Sequence, residues 1–256
     1  MQAQIKQRIE QTLKNISSLP TMPEVAQKVI NMVNDPDVSF KNVAEEISKD
    51  QSMTTNILKL TNSAYFSKGK EITSIDRAIV TLGLKEVKDI IMVVAAKPIL
   101  DKAVMGYDLE KGALWQQGLL VATLSKKIAI EKGRKDISDT VFTGGIIHNV
   151  GKLVLALYVQ SVFESILNLT QEKQISFVEA EKEIMGYNHM EIGEIVLTNW
   201  NFPPILKAVV RCYQAPEIAP DKFKTEVSIV HIASGLSMMA GVGIGADGLH
   251  YEIKQE

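Results

Sequence analysis

Val141-Phe142-Thr143-Gly144-Gly145-Ile146-Ile147-His148-Asn149-Val150-Gly151-Lys152 opens the most apolar stretch of the chain, which runs on to Val159. Its apolar residues recur at helical spacing and do not alternate as in a strand. A membrane span would have to bury His148, Asn149 and Lys152, and a central lysine alone costs roughly 3 kcal/mol in a bilayer. The stretch is therefore expected to form one core helix from about Asp139 to Tyr158.

Working outward from it, the same helical period governs both flanks. Leu114, Leu120, Val121, Leu124 and Ile128 share a face of a long helix ending near Gly133. Ser176-Phe177-Val178-Glu179 reads as a capping box, in which the serine and glutamate each satisfy an end amide of the helix. A helix from there ends by Gly186, and others follow from His189 to about Trp200, from Pro203 to about Gln214 and from about Phe223. Toward the N-terminus, Ile5, Ile9, Leu13 and Ile16 mark a first amphipathic helix. Thr21-Met22-Pro23-Glu24 is a second capping box, while Ser39, Asp50 and Ser74 are further caps. Pro98 to Asp108 is the strongest internal break. The expectation is an all-α chain with an N-terminal helical lobe, 1–105, packed on a second helical lobe, 106–256.

Composition narrows the function. The 256 residues carry 28 Lys plus Arg against 30 Asp plus Glu, for a net charge of −2, so no basic excess points to nucleic acid. With 46% hydrophobic residues the chain has material for a packed core. One cysteine and four histidines exclude a disulfide framework and a cysteine-rich zinc site. The N-terminus lacks the apolar run of an export signal, which sets the expectation of a cytoplasmic protein with no membrane partner.

Some apparent signals carry little. Gly243-Ile244-Gly245-Ala246-Asp247-Gly248 matches GxGxxG, but no strand precedes it and the chain ends at Glu256. It is expected to be a flexible C-terminal loop. Cys212 shares a face with Ile205 and Val209 and reads as a buried structural thiol. A different pattern is more specific. Gln117, Asn149 and His189 each lie on the apolar face of a different helix, with His148 beside Asn149. Buried polar groups need partners, so these side chains are expected to converge on one small polar pocket.

Those residues carry a family resemblance. Gly145 to Lys152 resembles the HD-x-G-K motif of HD-superfamily metal phosphohydrolases. Leu19-Pro20-Thr21-Met22-Pro23, Asn62-Ser63-Ala64-Tyr65-Phe66, Ser74 to Gly83, Leu114-Trp115-Gln116-Gln117, Gly186 to His189 and Trp200 to Pro203 follow in an order similar to that of HDOD domains, the HD-related output domains of bacterial signalling proteins. The resemblance covers about residues 15–240 and implies a multi-helical HD-like fold. It also implies a remnant site at Gln117, His148, Asn149, Lys152, His189, Cys212 or Tyr213, and Ser234.

The departures from the motif decide the chemistry that is expected. Neutral histidines and ionised carboxylates hold the divalent ions of an HD enzyme. Here Asn149 replaces the aspartate, Gln117 stands at the upstream histidine, and Ile232-Ala233-Ser234 offers no acid where a final aspartate would fall. The reading is a degenerate site with no catalytic residue, no metal and no cofactor, in a signalling or scaffold domain that acts through protein contacts. The Leu19, Pro20 and Pro23 entry and the loop bearing Tyr65 and Phe66 are potential contact surfaces, though packing suffices to explain the prolines. Two alternatives stand beside this reading. One is a residual phosphohydrolase using Glu191 or Glu194 as a replacement acid. The other is a nucleotide or small-anion sensor using Lys152.

Overall fold

The computed structural model describes residues 2–14, 23–33, 35, 37–62, 71–245 and 247–248. Leu19, Pro20, Thr21, Tyr65, Phe66 and His250 lie outside them, so the cap residue of the Thr21–Glu24 box and most of the two potential contact surfaces do too. Pro23 is described: it is half-buried, and its carbonyl accepts from Gln27 N at 3.0 Å.

The described residues form helices throughout, with one isolated bridge between Val104 and Leu109. The all-α expectation is met. In chain order they are α1 (Gln2–Lys14), α2 (Glu24–Val33), α3 (Phe40–Ser48), α4 (Gln51–Thr61), α5 (Ile75–Leu82), α6 (Leu84–Leu100), α7 (Ala113–Glu131), α8 (Ser138–Ile147), α9 (Val150–Lys173), α10 (Phe177–Met185), α11 (His189–Asn199), α12 (Pro204–Cys212) and α13 (Lys224–Met239). A short 3₁₀ turn, Met105–Tyr107, precedes α7.

Two compact units result, Met22–Ile99 on one side and Met1–Thr21 with Leu100–Glu256 on the other. A cut at 105/106 would have grouped α1 with α2 to α6. Instead α1 packs on α9 and α10. The Thr12 hydroxyl lies 2.6 Å from the Tyr158 hydroxyl, and the Arg8 guanidinium sits over the Tyr158 ring. Pro98 does not end its helix either, because it falls in the last turn of α6.

In the Met22–Ile99 unit, α3 packs on α2, α4 and α5. Val43, Ile47, Ile57, Ala78 and Ile79 form its buried interior. Asp50 caps α4 by accepting from Met53 N, and Ser74 caps α5 by accepting from Arg77 N. Ser39 starts α3 without a side-chain cap bond.

In the other unit α7 lies along α8, α13 packs on both, and α9 packs on α10 and α11. The expected single helix from Asp139 to Tyr158 is two helices. Asn149 leaves helical geometry at φ −100°, ψ 12°, so α8 ends and α9 begins at the motif itself. The run Ser138–Lys173 is long and apolar enough to cross a membrane by composition. Yet His148, Asn149 and Lys152 within it are buried among protein side chains.

Candidate functional site

Close helix crossings bring the polar residues together. A Cβ on Gly145 would lie 2.6 Å from Ala122 Cα, so α8 can approach α7 only with glycine there. A Cβ on Gly151 would lie 1.8 Å from the His189 carbonyl oxygen and 2.6 Å from Gly193 N. The first turn of α9 thus rests directly on α11. The HD-x-G-K glycine has a steric reason for its place, independent of any catalysis.

These crossings deliver Gln117 from α7, Asn149 from the α8–α9 break and His189 from the start of α11 to one place. Asn149 Nδ2 donates to Gln117 Oε1 at 2.8 Å, and Tyr213 OH donates to Asn149 Oδ1 at 2.6 Å. His189 Nε2 lies 2.8 Å from Tyr213 OH, and Gln214 Nε2 donates to the same phenol at 2.8 Å. His189 Nδ1–H donates to Glu181 Oε2 at 2.8 Å, as does its backbone N–H at 3.0 Å, while Tyr107 OH donates to Glu181 Oε1. Gln117, Asn149, His189, Tyr107, Tyr213 and Glu181 are all buried. Burial is the first cause that holds the Tyr107 phenol well above its usual range, and the Glu181 charge adds to it.

His148 meets the cluster edge-on, its ring centroid 4.9 Å from that of Tyr213. Its Nδ1–H donates to the Gly145 carbonyl at 2.7 Å, and Nε2 is buried without a hydrogen-bond partner. Burial drives its pKa down to about 3, against the Gly145 hydrogen bond, which favours the proton. The ring is neutral at pH 7.

Lys152 is 1% exposed and donates to Asp247 Oδ2 at 2.6 Å, with Asp247 itself 4% exposed in its side chain. The ammonium also lies 5.3 Å from the Tyr107 ring centroid. Asp247 arrives on the segment expected to be a flexible loop. That segment is instead packed tightly: Gly243 has no room for a Cβ beside Gln117, nor Gly245 beside the Tyr107 carbonyl. Both the GxGxxG glycines and the aspartate within that pattern thus serve to close the site.

Of the expected site residues, Gln117, Asn149 and His189 share one network, His148 borders it and Lys152 adjoins it through Tyr107. Cys212 does not join. It lies in the apolar cluster with Val209 and Val230, and burial raises its thiol pKa. The next residue, Tyr213, takes the place in the network. Ser234 is buried, but no hydrogen bond ties it to the cluster. Glu191 caps α11 in a reciprocal box with Asn188 and pairs with Lys182 and Arg211, and Glu194 faces Arg211 at 3.6 Å. Neither is a replacement acid in the pocket. Glu181, Tyr107, Gln214 and Asp247 were not foreseen. The signal for Glu181 was available: it sits on the buried face of α10, between Phe177 and Ile184 at helical spacing.

The matched family model is that of the HDOD domain, over residues 19–216. The chain belongs to the HDOD family. An HDOD domain protein with unknown function from Geobacter sulfurreducens is similar at TM-score 0.80 and 25% identity, covering 99% of this chain and 83% of that one. A Shewanella amazonensis structure described as a candidate phosphohydrolase is similar at TM-score 0.73 and 25% identity, covering 90% and 80%. An uncharacterized protein of Treponema pallidum (strain Nichols) is 24% identical over 219 residues, or 86% of this chain. This chain spans only 42% of that relative's length.

The superfamily implies a divalent ion, and the residues of this HDOD domain do not fit one. Both amide atoms of Asn149 are engaged by Gln117 and Tyr213, and both ring nitrogens of His189 have partners. Among the described residues no group of three or more His, Cys, Asp or Glu side chains is arranged to hold a metal. Asp247, the one carboxylate brought in by the C-terminal segment, is taken up by Lys152 at 2.6 Å.

Proposed function

We propose that this HDOD domain is a non-enzymatic signalling domain of bacterial regulation that works in the cytoplasm through protein–protein contacts. The observation that carries the reading is the buried Gln117–Asn149–Tyr213 chain of hydrogen bonds, with His189 Nε2 against the same phenol at 2.8 Å. It engages the side chains at two of the positions, Asn149 and His189, that would otherwise face a metal. A neutral amide at position 149 contributes no charge to neutralise a divalent ion. Family membership and the HD-like fold support signalling as the setting; the hydrogen-bonded remnant supports contact over hydrolysis.

The test is metal analysis of the purified protein, together with turnover of phosphomonoesters and cyclic dinucleotides. The expected result is substoichiometric metal and no turnover sensitive to His148→Ala. Stoichiometric metal with turnover abolished by that substitution would overturn the proposal.

A second reading has one observation in its favour. His148 Nε2, Gln117 Nε2 and Asp247 Oδ1 are buried without partners. Gln117 Nε2 is a donor, whereas His148 Nε2 and Asp247 Oδ1 are acceptors, so a small polar ligand with both donor and acceptor groups would satisfy them, and an anion would reach Lys152 only by displacing Asp247. Thermal-shift screening against nucleotides and phosphate tests this, since a ligand that binds the folded state raises its apparent stability. An unmoved transition across the panel removes the sensor reading.

A further inference from the structure

Away from the remnant site, the C-terminal end of α7 and one face of α13 enclose an open groove of about 610 Å³. Ile128, Ile229 and Ile232 form its apolar lining, and Lys132, Arg134 and Lys224 its charged one; no carboxylate contributes to it. The groove leads onto an apolar stripe. Ile232, Leu236 and Met239 lie at i, i+4, i+7 on α13 and are 45%, 42% and 76% exposed. A single exposed apolar residue is ordinary, whereas an aligned row beside a groove marks a contact surface.

We propose that this α7–α13 groove docks an amphipathic helix of a partner protein, with carboxylates at one end and an apolar stripe along the rest. The proposal rests on the contact reading above and names the surface and the partner chemistry for it. α13 has 16 residues, or about 24 Å at the helical rise, which suits a partner helix of about four turns. Helix-in-groove recognition uses apolar anchors at this spacing.

Charge distribution selects the occupant. The three cations gather at the N-terminal end of α13. Beyond Glu226 the helix has no Lys, Arg, Asp or Glu. A helix lying on lipid needs cations along its polar flanks, and these flanks have none. Antiparallel pairing of α13 with a second copy would set the cationic end of each against the apolar end of the other. An acid-tipped amphipathic helix matches both halves. Arg134 pairs with Asp136 at 2.9 Å; Lys132 and Lys224 are the positions varied in the test.

One residue links the groove to the remnant site. His231 lines it and is buried, and its Nδ1–H donates to the Tyr213 carbonyl at 2.8 Å. Tyr213 is the phenol that joins Asn149 to His189. A docked helix would thus lie one hydrogen bond from the residue that closes the network.

The experiment uses the full chain and a labelled peptide of about 16 residues, with leucines at i, i+4, i+7 and glutamates in its first turn. A peptide with lysine in place of each glutamate is the control. Fluorescence anisotropy should show saturable binding of the acidic peptide. It should weaken about tenfold or more in Leu236→Asp and in Lys132→Glu with Lys224→Glu, and weaken again with added salt. Circular dichroism checks that these exposed substitutions leave the fold intact. Equal binding of both peptides, or of the acidic peptide to wild type and variants, would overturn the proposal. So would a dimer by light scattering that Leu236→Asp dissolves, or flotation with anionic phospholipid vesicles that the variants lose, since either gives the surface another occupant. None of these results bears on metal or turnover, so the contact reading stands or falls separately.

Discussion

Restoring the aspartate of the HD pair should make this protein less stable without making it a metalloenzyme. In Asn149→Asp the shape is kept, but the Nδ2 donor that now meets Gln117 Oε1 at 2.8 Å becomes an oxygen. Gln117 can rotate its amide to answer, because its Nε2 has no other partner. Tyr213 OH still donates to the other oxygen. What remains is a carboxylate at a position 3% exposed, with the adjacent Lys152 already committed to Asp247. Burial of this kind raises a carboxyl pKa by up to about 3–5 units, and two hydrogen bonds to the charged form pull it part of the way back. A net rise of about 2–3 units corresponds to a loss of about 3–4 kcal/mol at pH 7. The sign follows from the order of titration. The unfolded carboxyl ionises near its ordinary value of about 3.9, before the folded one. The deficit is therefore small below that pH, grows as pH rises toward the raised folded value, and is constant above it. Urea unfolding of variant and wild type at pH 4 and pH 7 measures the difference, and calorimetric titration with manganese tests for metal. Equal stability at pH 7 would refute a buried amide link at Asn149. Stoichiometric metal accompanied by stabilisation would show that one amide alone kept this chain from being a metal protein.

Three further outcomes are expected. Asp247→Ala strands the Lys152 ammonium and should cost about 3–5 kcal/mol by denaturant unfolding, while Lys152→Met with Asp247→Ala should recover most of the loss; additive losses would show that the two charges do not stabilise one another. His148 has a pKa of about 3 in the folded protein against 6.5 ordinarily, so the unfolded state takes up a proton first as pH falls. Its contribution, present above pH 6.5, is lost progressively down to pH 3, to the extent of about 5 kcal/mol, and His148→Asn should visibly flatten the acid side of the stability profile. Gly151→Ala drives a methyl into the His189 carbonyl and should cost about 3 kcal/mol or more; a loss under 1 kcal/mol would mean that α9 and α11 can part without penalty.

Helical periodicity made the architecture legible, because most buried positions follow it, as in Ile75, Ala78, Ile79 and Leu82 of α5. Caps were legible where a side-chain oxygen closes on a nearby amide, at Asp50, Ser74 and Ser176. The break at His148–Asn149 was not, since no proline marks it and its apolar flanks read through. The convergence of Gln117, Asn149 and His189 followed from polar residues on apolar faces. The same rule applied to α10 would have found Glu181. It could not have found Asp247, because the segment that carries it has no period: its placement depends on Gly243 and Gly245 fitting against Gln117 and Tyr107. Nor could it choose between Cys212 and Tyr213, neighbours in sequence. The choice is made by the end of α12, where the thiol turns into the apolar cluster and the phenol toward Asn149.

The geometry also explains how an HD-like core holds together with neutral groups at its centre. In a metal enzyme of this architecture, the ion draws ligands from separate helices to one point and fixes their spacing. Here an amide and a phenol, each with donor and acceptor capacity, join the start of α9, the start of α11 and the end of α12. Asn149 donates on one side and accepts on the other, which an aspartate cannot do. The remaining full charges are resolved in pairs: Glu181 against the donors of His189 and Tyr107, Lys152 against Asp247. A network with each link this specific tolerates little change at its members. On this account, substitutions in the network should affect stability before they affect any contact surface. The exposed face of α13 should behave oppositely, tolerating charge without loss of fold while losing its partner. Comparing Asn149→Asp with Leu236→Asp in the same unfolding and peptide-binding assays separates the two roles. If Leu236→Asp unfolds the chain as readily as Asn149→Asp, the stripe on α13 is core and not surface, and the division between a structural remnant and a contact face is wrong.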